Sequence, residues 1–420
     1  MSSTPTVQST PTIHRSFAIM VEVRQQVIEK VFRVIPKNEE EVLFIKYLGS
    51  VMQLDFWKPR SSDFMIPDHS VDFRAGAEEA KAIIHLLDQK EIKYKILLEN
   101  VQDIIEEQFK KSRILKDSVK TPKYLPWEKI SMWAYSISLK NPKLVSYVEI
   151  GNTYEGRPMI LLKIGSQKAN KKIIVLECGT HAREWISPAF CQWFVNEAVR
   201  TYGKDKSMTR LLDTVTFHVL PVFNIDGYVW TWTEDRMWRK NRKPNDKCVG
   251  TDLNRNFNIS WNSVGTSDNP CYDDYAGSGP VSEVETQALT AYIRENLSSI
   301  KAYISFHSYG QMLMYPYGFT KKKPPNHKKL KKISGAAVKA LSGLYGTNYT
   351  YGPIASTIYQ VSGSSIDWTY EEGIKYSFVF ELRDDDVYGF LLPEYLIKPT
   401  CKETILAVKV IANYATGLDT

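Results

Sequence analysis

Apolar positions change their period several times along the 420 residues. Val31 to Ile35 reads as a short strand, and Glu39 to Leu48 spaces its apolar residues as a helix does. Val51 to Trp57 and Val71 to Phe73 read as strands again, Ala77 to Gln89 is an amphipathic helix, and Ile92 to Leu98 alternates. The order β-α-β-β-α-β over residues 29–109 predicts a ferredoxin-like split βαβ unit, large enough to fold alone. Asn100 stands in a capping position before a further helix that begins at Val101.

The periodicity then breaks. Phe109-Lys-Lys-Ser-Arg113 and Lys120-Thr-Pro-Lys-Tyr-Leu-Pro126 exchange apolar repeats for basic residues and prolines, so residues 110–124 are expected to be an exposed linker that a trypsin-like protease cuts. From Trp127 onward strands and helices alternate. Lys172–Glu177, Val215–Val222, Ala302–His307 and Tyr376–Leu382 read as strands; Pro188–Tyr202, Glu283–Glu295, Asn326–Leu344 and Glu394–Tyr414 read as helices. This alternation predicts an α/β sandwich over residues 125–420, a mixed central sheet flanked by helices. Asp226 to Ser282 has little regular period, and long loops in such domains are usually functional. Residues 1–28, which begin with a Ser, Thr and Pro-rich stretch, are expected to be a disordered extension.

Composition narrows the classes. No run of eighteen apolar residues occurs, which excludes a membrane-spanning helix. The net charge of +7 comes from 54 basic against 47 acidic residues and is concentrated in tracts such as Lys321-Lys322-Lys323. No aromatic residues are interleaved for base stacking, so the tracts read as solvated surface, with an anionic partner as the alternative. No nucleic acid or membrane partner is expected, and the chain is expected to be a monomer. Five cysteines without a CxxC pair exclude a disulfide scaffold and a thioredoxin-like site. Cys248 and Cys271 flank a loop-like stretch that they are able to close. Sequons at Asn258, Asn296 and Asn348 suit a secretory route. Phe17 to Val21 is too short for a signal peptide, so a secreted assignment requires that the start be truncated or misassigned.

Seven histidines make the search for chemistry short. His14, His69, His85, His218 and His327 read as solvent-facing or satisfied core residues. His181 and His307 end predicted strands, where α/β sheets place their ligands. His181 and Glu184 are three residues apart, close enough to share one side of a helical turn. Alone they read most simply as a surface pair. With His307 they form the two-histidine, one-carboxylate set with an open position that a catalytic zinc needs.

Seven motifs taken in order resemble the zinc metallocarboxypeptidases of the pancreatic carboxypeptidase A/B type. They are Thr180-His-Ala-Arg-Glu-Trp-Ile186, Met237-Trp-Arg-Lys240, Asp252-Leu-Asn-Arg-Asn256, Ser305-Phe-His-Ser-Tyr309, Ile358-Tyr-Gln360, Gly363-Ser-Ser-Ile-Asp-Trp368 and Phe380-Glu-Leu-Arg-Asp384. The ferredoxin-like unit resembles the inhibitory prosegment of that family. The resemblance implies a zymogen whose active form hydrolyses the C-terminal bond of peptides and proteins, with one zinc per chain held by His181, Glu184 and His307. It implies that Asp252 orients the first zinc histidine, an outer-shell task. A loop-capping role for Asp252 is the simpler alternative.

Glu381 lies in an otherwise apolar strand, where a charge is costly without a task or a partner. By resemblance it is the general base; an ion pair with Arg383 is the alternative reading. Arg239 resembles the oxyanion-stabilising arginine. Asn254 and Arg255 resemble the pair that grips the substrate carboxylate, with Arg183 beside them and Tyr359 closing from a mobile loop. The separation of Cys248 and Cys271 matches the disulfide of the family. Cys178, Cys191 and Cys401 have no assigned counterpart, and the first two are expected to be free, buried and apolar.

Ile366 aligns with the floor of the specificity pocket, and Ile354 and Gly318 with its neighbours. An apolar cup implies a preference for aromatic and bulky aliphatic C-terminal residues. A one-residue shift would bring Asp367 to the floor and favour Lys or Arg. A peptide-binding protein without catalysis is the alternative of another class, opposed by the complete set His181, Glu184, His307, Arg239 and Glu381. A zinc-dependent deacylase of non-peptide amides is opposed by Arg255 and Tyr359.

Overall fold

The structure is a computed structural model that describes residues 28–59, 62–113, 122–166, 172–385 and 387–418, the last three residues of the second stretch by backbone alone. Most of the predicted 1–28 extension and the centre of the predicted linker lie outside the described residues.

The amino-terminal unit runs β1 (Lys30–Val34), α1 (Glu39–Val51), β2 (Asp55–Lys58), β3 (Val71–Ala75), α2 (Ala77–Gln89), β4 (Tyr94–Leu98) and α3 (Val101–Arg113). Its sheet has the order β2-β3-β1-β4 and is antiparallel throughout, the arrangement expected of the split βαβ pattern. Local chemistry explains the helix start: the Asn38 side chain accepts the Glu41 N–H at 2.9 Å, while Glu41 accepts the Lys37 N–H at 2.8 Å. Val51, expected to open a strand, is instead the last residue of α1 and is exposed.

α3 also runs further than its apolar pattern suggests, through Lys110 to Arg113. Phe109 packs edge-on against Trp185 and Trp232, and Lys110 pairs with Glu106 one turn back at 3.3 Å. Packing against the second unit thus extends a helix whose own sequence has turned basic.

The second unit contains α4 (Trp127–Lys140), β5 (Val145–Asn152), β6 (Pro158–Ile164), β7 (Lys172–Cys178), α5 (Ile186–Thr201), α6 (Lys206–Thr214), β8 (Val215–Leu220) and α7 (Ile225–Thr233). It continues with α8 (Val284–Glu295), β9 (Ile300–Ser308), β10 (Met312–Tyr315), α9 (His327–Tyr345), β11 (Thr350–Pro353), α10 (Ile354–Thr357), α11 (Ser365–Glu371), β12 (Ser377–Leu382) and α12 (Ile397–Thr416). The eight strands have the order β11-β10-β12-β9-β7-β8-β6-β5. The central run β12, β9, β7 and β8 is parallel, with antiparallel partners outside it, so the sheet is mixed. Helices flank it, with α12 packed on α9 and α5. β5, β6, β10 and β11 are additions to the sequence reading. Among the described residues no helix is long and apolar enough to cross a membrane.

The two units meet through a core of their own. Val31, Trp57, Leu98, Val101 and Ile105 pack against Met237, Tyr309, Phe390 and Leu391. Asp72, fully buried, receives Arg33 through two hydrogen bonds of 2.6 and 2.7 Å and the Tyr309 hydroxyl at 3.0 Å. Sequence patterning predicts neither the shared core nor the Asp72–Tyr309 bond, because each joins residues from two separately patterned units.

Candidate metal centre and substrate cleft

Three neighbouring parallel strands aim their carboxyl ends at one point. β7 ends at Cys178 and delivers His181 and Glu184 on the turn before α5; β9 carries His307 near its end; and β12 places Glu381 directly opposite His307 in register. Of the four, His181, Glu184 and His307 are 1 % exposed and Glu381 is half-buried.

The geometry of the three is tight. Nδ1 of His181 is 2.8 Å from one Glu184 carboxylate oxygen, Nδ1 of His307 is 3.0 Å from the other, and the two Nδ1 atoms are 3.0 Å apart. Two ring nitrogens and a carboxylate facing a common centre make a donor set for one cation, and neutral imidazoles with a carboxylate suit zinc. Burial, aided by the Arg239 charge, pushes His181 down to about 4, so its ring is neutral and its Nδ1 lone pair is available.

Asp252 organises this centre from outside. One of its oxygens is 3.0 Å from Nε2 of His181, and the same oxygen accepts the Asn254 N–H at 2.9 Å. The other accepts from Nη2 of Arg239 at 2.6 Å. Burial opposes ionisation of Asp252, but Arg239, His181 and Arg255 outweigh it and hold the carboxyl well below its usual range. The loop-capping alternative is therefore also true in part: Asp252 caps the turn Leu253–Arg255 while it holds the histidine.

His181, His307 and Glu381 line a cavity together with Asn254, Arg255, Tyr359, Ile354 and Ile366. Arg255 is fixed by the Gly265 and Asn254 carbonyls at 2.8 and 3.0 Å, and Asn254 Oδ1 accepts the Ser365 N–H at 3.0 Å. Arg383, considered as an ion-pair partner of Glu381, pairs bidentately with Glu403. Met314, Ile358, Val361 and Val379 complete the apolar wall; of these only Ile358, as part of a motif, figures in the sequence reading. Gly318 stands behind this wall, where an added Cβ would lie 2.9 Å from the Val361 carbonyl. Asp367 points away from the cavity, its carboxylate accepting the Gly318 N–H at 2.9 Å and the Phe319 N–H at 3.0 Å. Arg183 faces a second cleft, at the junction of the two units.

Sequence comparison names the family. The family described as "Zinc carboxypeptidase" matches residues 130–407, and the family described as "Carboxypeptidase activation peptide" matches residues 32–108. The chain belongs to the zinc carboxypeptidase family. It is 53% identical to human mast cell carboxypeptidase A (Homo sapiens) and 50% identical to human carboxypeptidase B, each over 388 residues that cover 92% of this chain and 93% of the relative. The crystal structure of thrombin activatable fibrinolysis inhibitor superposes with a TM-score of 0.89 at 37% identity, covering 93% of this chain and 99% of that one. Carboxypeptidase A from Helicoverpa armigera gives 0.82 at 25% identity, covering 94% and 98%.

This zinc carboxypeptidase is thus a metallopeptidase of C-terminal residues that carries an activation peptide, and its cofactor is zinc. One cysteine reading needs correction. Cys178 and Cys191 are not free: they form a disulfide, besides the Cys248–Cys271 bridge that the resemblance implied. Cys178 closes β7 and Cys191 lies in the second turn of α5, and the return of that helix over its strand leaves their Cα atoms 6.3 Å apart, within bridging range. Their spacing of 13 residues carries no signal in itself, which is why burial alone misled. Cys401 is free and buried. A second group that the sequence reading missed is Glu177, a fully buried carboxylate beneath the centre that receives Ser305 at 2.6 Å, Tyr303 at 3.2 Å and the Thr180 hydroxyl.

Proposed function

We propose that this zinc carboxypeptidase removes aromatic and bulky aliphatic residues from the C-termini of peptides and proteins. The floor of the cavity carries this reading. Ile366 is 1 % exposed and lines the cavity, whereas the neighbouring carboxylate of Asp367 is turned back onto the backbone of Gly318 and Phe319. A lysine or arginine head group buried on such a floor would lack a counter-charge, at a cost of several kcal/mol, while a phenyl ring gains roughly 1.5–3 kcal/mol from burial.

The roles of the remaining residues follow from their chemistry. His181, Glu184 and His307 hold zinc, which when bound polarises the scissile carbonyl as a Lewis acid and acidifies water. Glu381 takes the proton of the attacking water and returns it to the leaving amine, work for a carboxylate at hydrogen-bond distance. Arg239, anchored through Asp252, stabilises the negative charge that develops on the carbonyl oxygen. Asn254 and Arg255 grip the terminal carboxylate, which is what confines cleavage to the chain end, and Tyr359 covers it. The amino-terminal unit keeps the enzyme latent until a trypsin-like protease cuts the linker, and the protein acts as a secreted monomer. The test is kcat/KM of the zinc-loaded, trypsin-treated chain on matched peptides ending in Phe, Leu or Arg. A preference for Arg overturns the reading.

A further inference from the structure

The cleft between the two units has a volume of about 1230 Å³ and is bordered on the catalytic side by Arg183, Asp235, Met237, Asp268, Asp273 and Asp274. Across it runs an alternating row of charges. Arg74 Nε is 3.2 Å from Asp55, Asp55 is 3.0 Å from Nη1 of Arg183, and Nη1 of Arg183 is 3.4 Å from Asp273. The first two residues belong to the amino-terminal unit and the last two to the catalytic unit. Burial opposes the charge on Arg74, and Asp55, Glu29, Asp235 and Asp273 outweigh it, so the amino-terminal unit presents a cation to two carboxylates of the catalytic unit.

The position of this row along a bound substrate follows from the site. The C-terminal residue lies among Asn254, Arg255 and Ile366, and the scissile bond lies between Glu381 and Arg239. The preceding residues leave on the far side of Arg239, whose Nε donates to the Asp273 carbonyl at 3.3 Å. An extended chain advances about 3.3–3.6 Å per residue, so the second and third residues before the scissile bond cross the strip bounded by Arg183 and Asp273. When the amino-terminal unit leaves, Asp55 and Arg74 leave together. Arg183 then keeps Asp273 as its counter-charge, and Asp235 faces the strip without the cation that Arg74 had supplied.

We infer that Asp273 is a specificity-determining residue: by pairing with Arg183 it makes the upstream strip acidic, so that the active enzyme favours Lys or Arg two and three positions before the scissile bond and disfavours Asp and Glu there. The zymogen places Arg74 where such a substrate residue goes. This rests on the substrate orientation proposed above and adds to it a preference independent of the terminal residue.

The experiment compares acetylated Lys-Lys-Ala-Phe, Gln-Gln-Ala-Phe and Glu-Glu-Ala-Phe as substrates of the zinc-loaded, trypsin-treated chain, with a parallel series ending in Arg. The Lys peptide is expected to exceed the Gln peptide in kcat/KM by about two- to fivefold and the Glu peptide to fall below it by a similar factor, the scale of an exposed charge pair. Raising the salt from about 0.05 M to about 0.5 M should compress both ratios. Asp273→Asn should lower the Lys-to-Gln ratio and raise the Glu-to-Gln ratio, since it releases Arg183. Equal rates for the three peptides, or a preference for Glu in the unmodified enzyme, overturns the inference. Ratios that persist at high salt and are unmoved in Asp273→Asn do so as well. If only the Arg-ended series is cleaved, the terminal preference has failed, and the ratios within that series still decide the role of Asp273.

Discussion

Phe64 lies face to face with Tyr359, their ring centroids 4.5 Å apart and their planes 11° from parallel. Phe64 belongs to the amino-terminal unit, and Tyr359 lines the cavity together with Asn254 and Arg255. The same unit neutralises Arg183 through Asp55. Latency on this view comes from occupation of groups the substrate needs, with the catalytic residues already assembled.

The intact chain should therefore be much less active than the cleaved one on a tetrapeptide ending in Phe. Replacing Phe64 by Ala should raise the activity of the intact chain by roughly two- to tenfold, the range expected of a stacked aromatic pair. The trypsin-treated variant should match the trypsin-treated parent. Intact parent protein as active as its cleaved form would remove the basis of this argument.

Glu381→Gln keeps the shape of the side chain and removes its ability to accept a proton. Turnover should fall by about 10²–10⁴-fold, the usual contribution of a general base, while bound zinc stays at one per chain. The measurement is kcat alongside metal content. Lost zinc with retained turnover would reverse the roles of Glu381 and the three ligands.

His307→Ala removes one of three side chains that meet at the centre and leaves His181 and Glu184 to hold the ion. Zinc retained after dialysis against a weak chelator should drop from near stoichiometric to a small fraction, and peptidase activity with it. A variant that keeps its zinc would require a ligand other than His307.

The convergence of His181, Glu184 and His307 was legible in part for a physical reason: they lie at or just beyond the ends of strongly apolar strands, where a polar residue breaks the pattern. The role expected of Glu381 came from the resemblance. The β-α-β-β-α-β order was legible because each element of the first unit carries its own period. What escaped was set by tertiary contact. β5 lies at the sheet edge and mixes polar with apolar positions, so its period was weak, while its antiparallel partner β6 is a short, nearly continuous apolar run with no alternation to read. Cys178 and Cys191 look like any buried apolar residues until a helix folds back over its strand. Phe64, Asp55 and Asp273 acquire meaning only where two units separated by a linker meet.

Asp367 gives a prediction in pH. Burial drives its pKa up from 3.8 to about 7, against the pull of the Phe319 and Gly318 N–H groups. A carboxyl raised in the folded state contributes its full stability below the unfolded pKa and loses it as pH rises to the folded value. Stability should fall by an amount on the order of 4 kcal/mol between about pH 4 and pH 7 from this group, then level off. Asp367→Asn should carry a fixed penalty, from an amide NH2 facing backbone N–H groups, and should lack that slope. Denaturant midpoints of the zinc-loaded proteins from about pH 5 to about pH 8 provide the comparison; parallel curves for parent and variant would show that Asp367 does not titrate in this range.

Ile366 offers the sharpest test of substrate choice, because a single side chain there decides whether the cup ends in a hydrocarbon or a charge. Ile366→Asp places a carboxylate among Met314, Ile354, Val361 and Val379, while Arg255, in the same cavity, is already held by the Gly265 and Asn254 carbonyls. An incoming lysine or arginine head group would supply a cation and recover part of the desolvation cost, whereas a phenyl ring would bury the charge further. The ratio of kcat/KM for peptides ending in Arg to those ending in Phe should rise by at least about 10²-fold, a scale set by the few kcal/mol that separate a paired from an unpaired buried charge. The change should appear chiefly in KM for both peptides, since Glu381 and Arg239 keep their places on β12 and beside Asp252. A variant that still prefers Phe by the parental ratio, while folded and zinc-loaded, would mean that the terminal side chain does not reach residue 366 and that the floor of the pocket lies elsewhere.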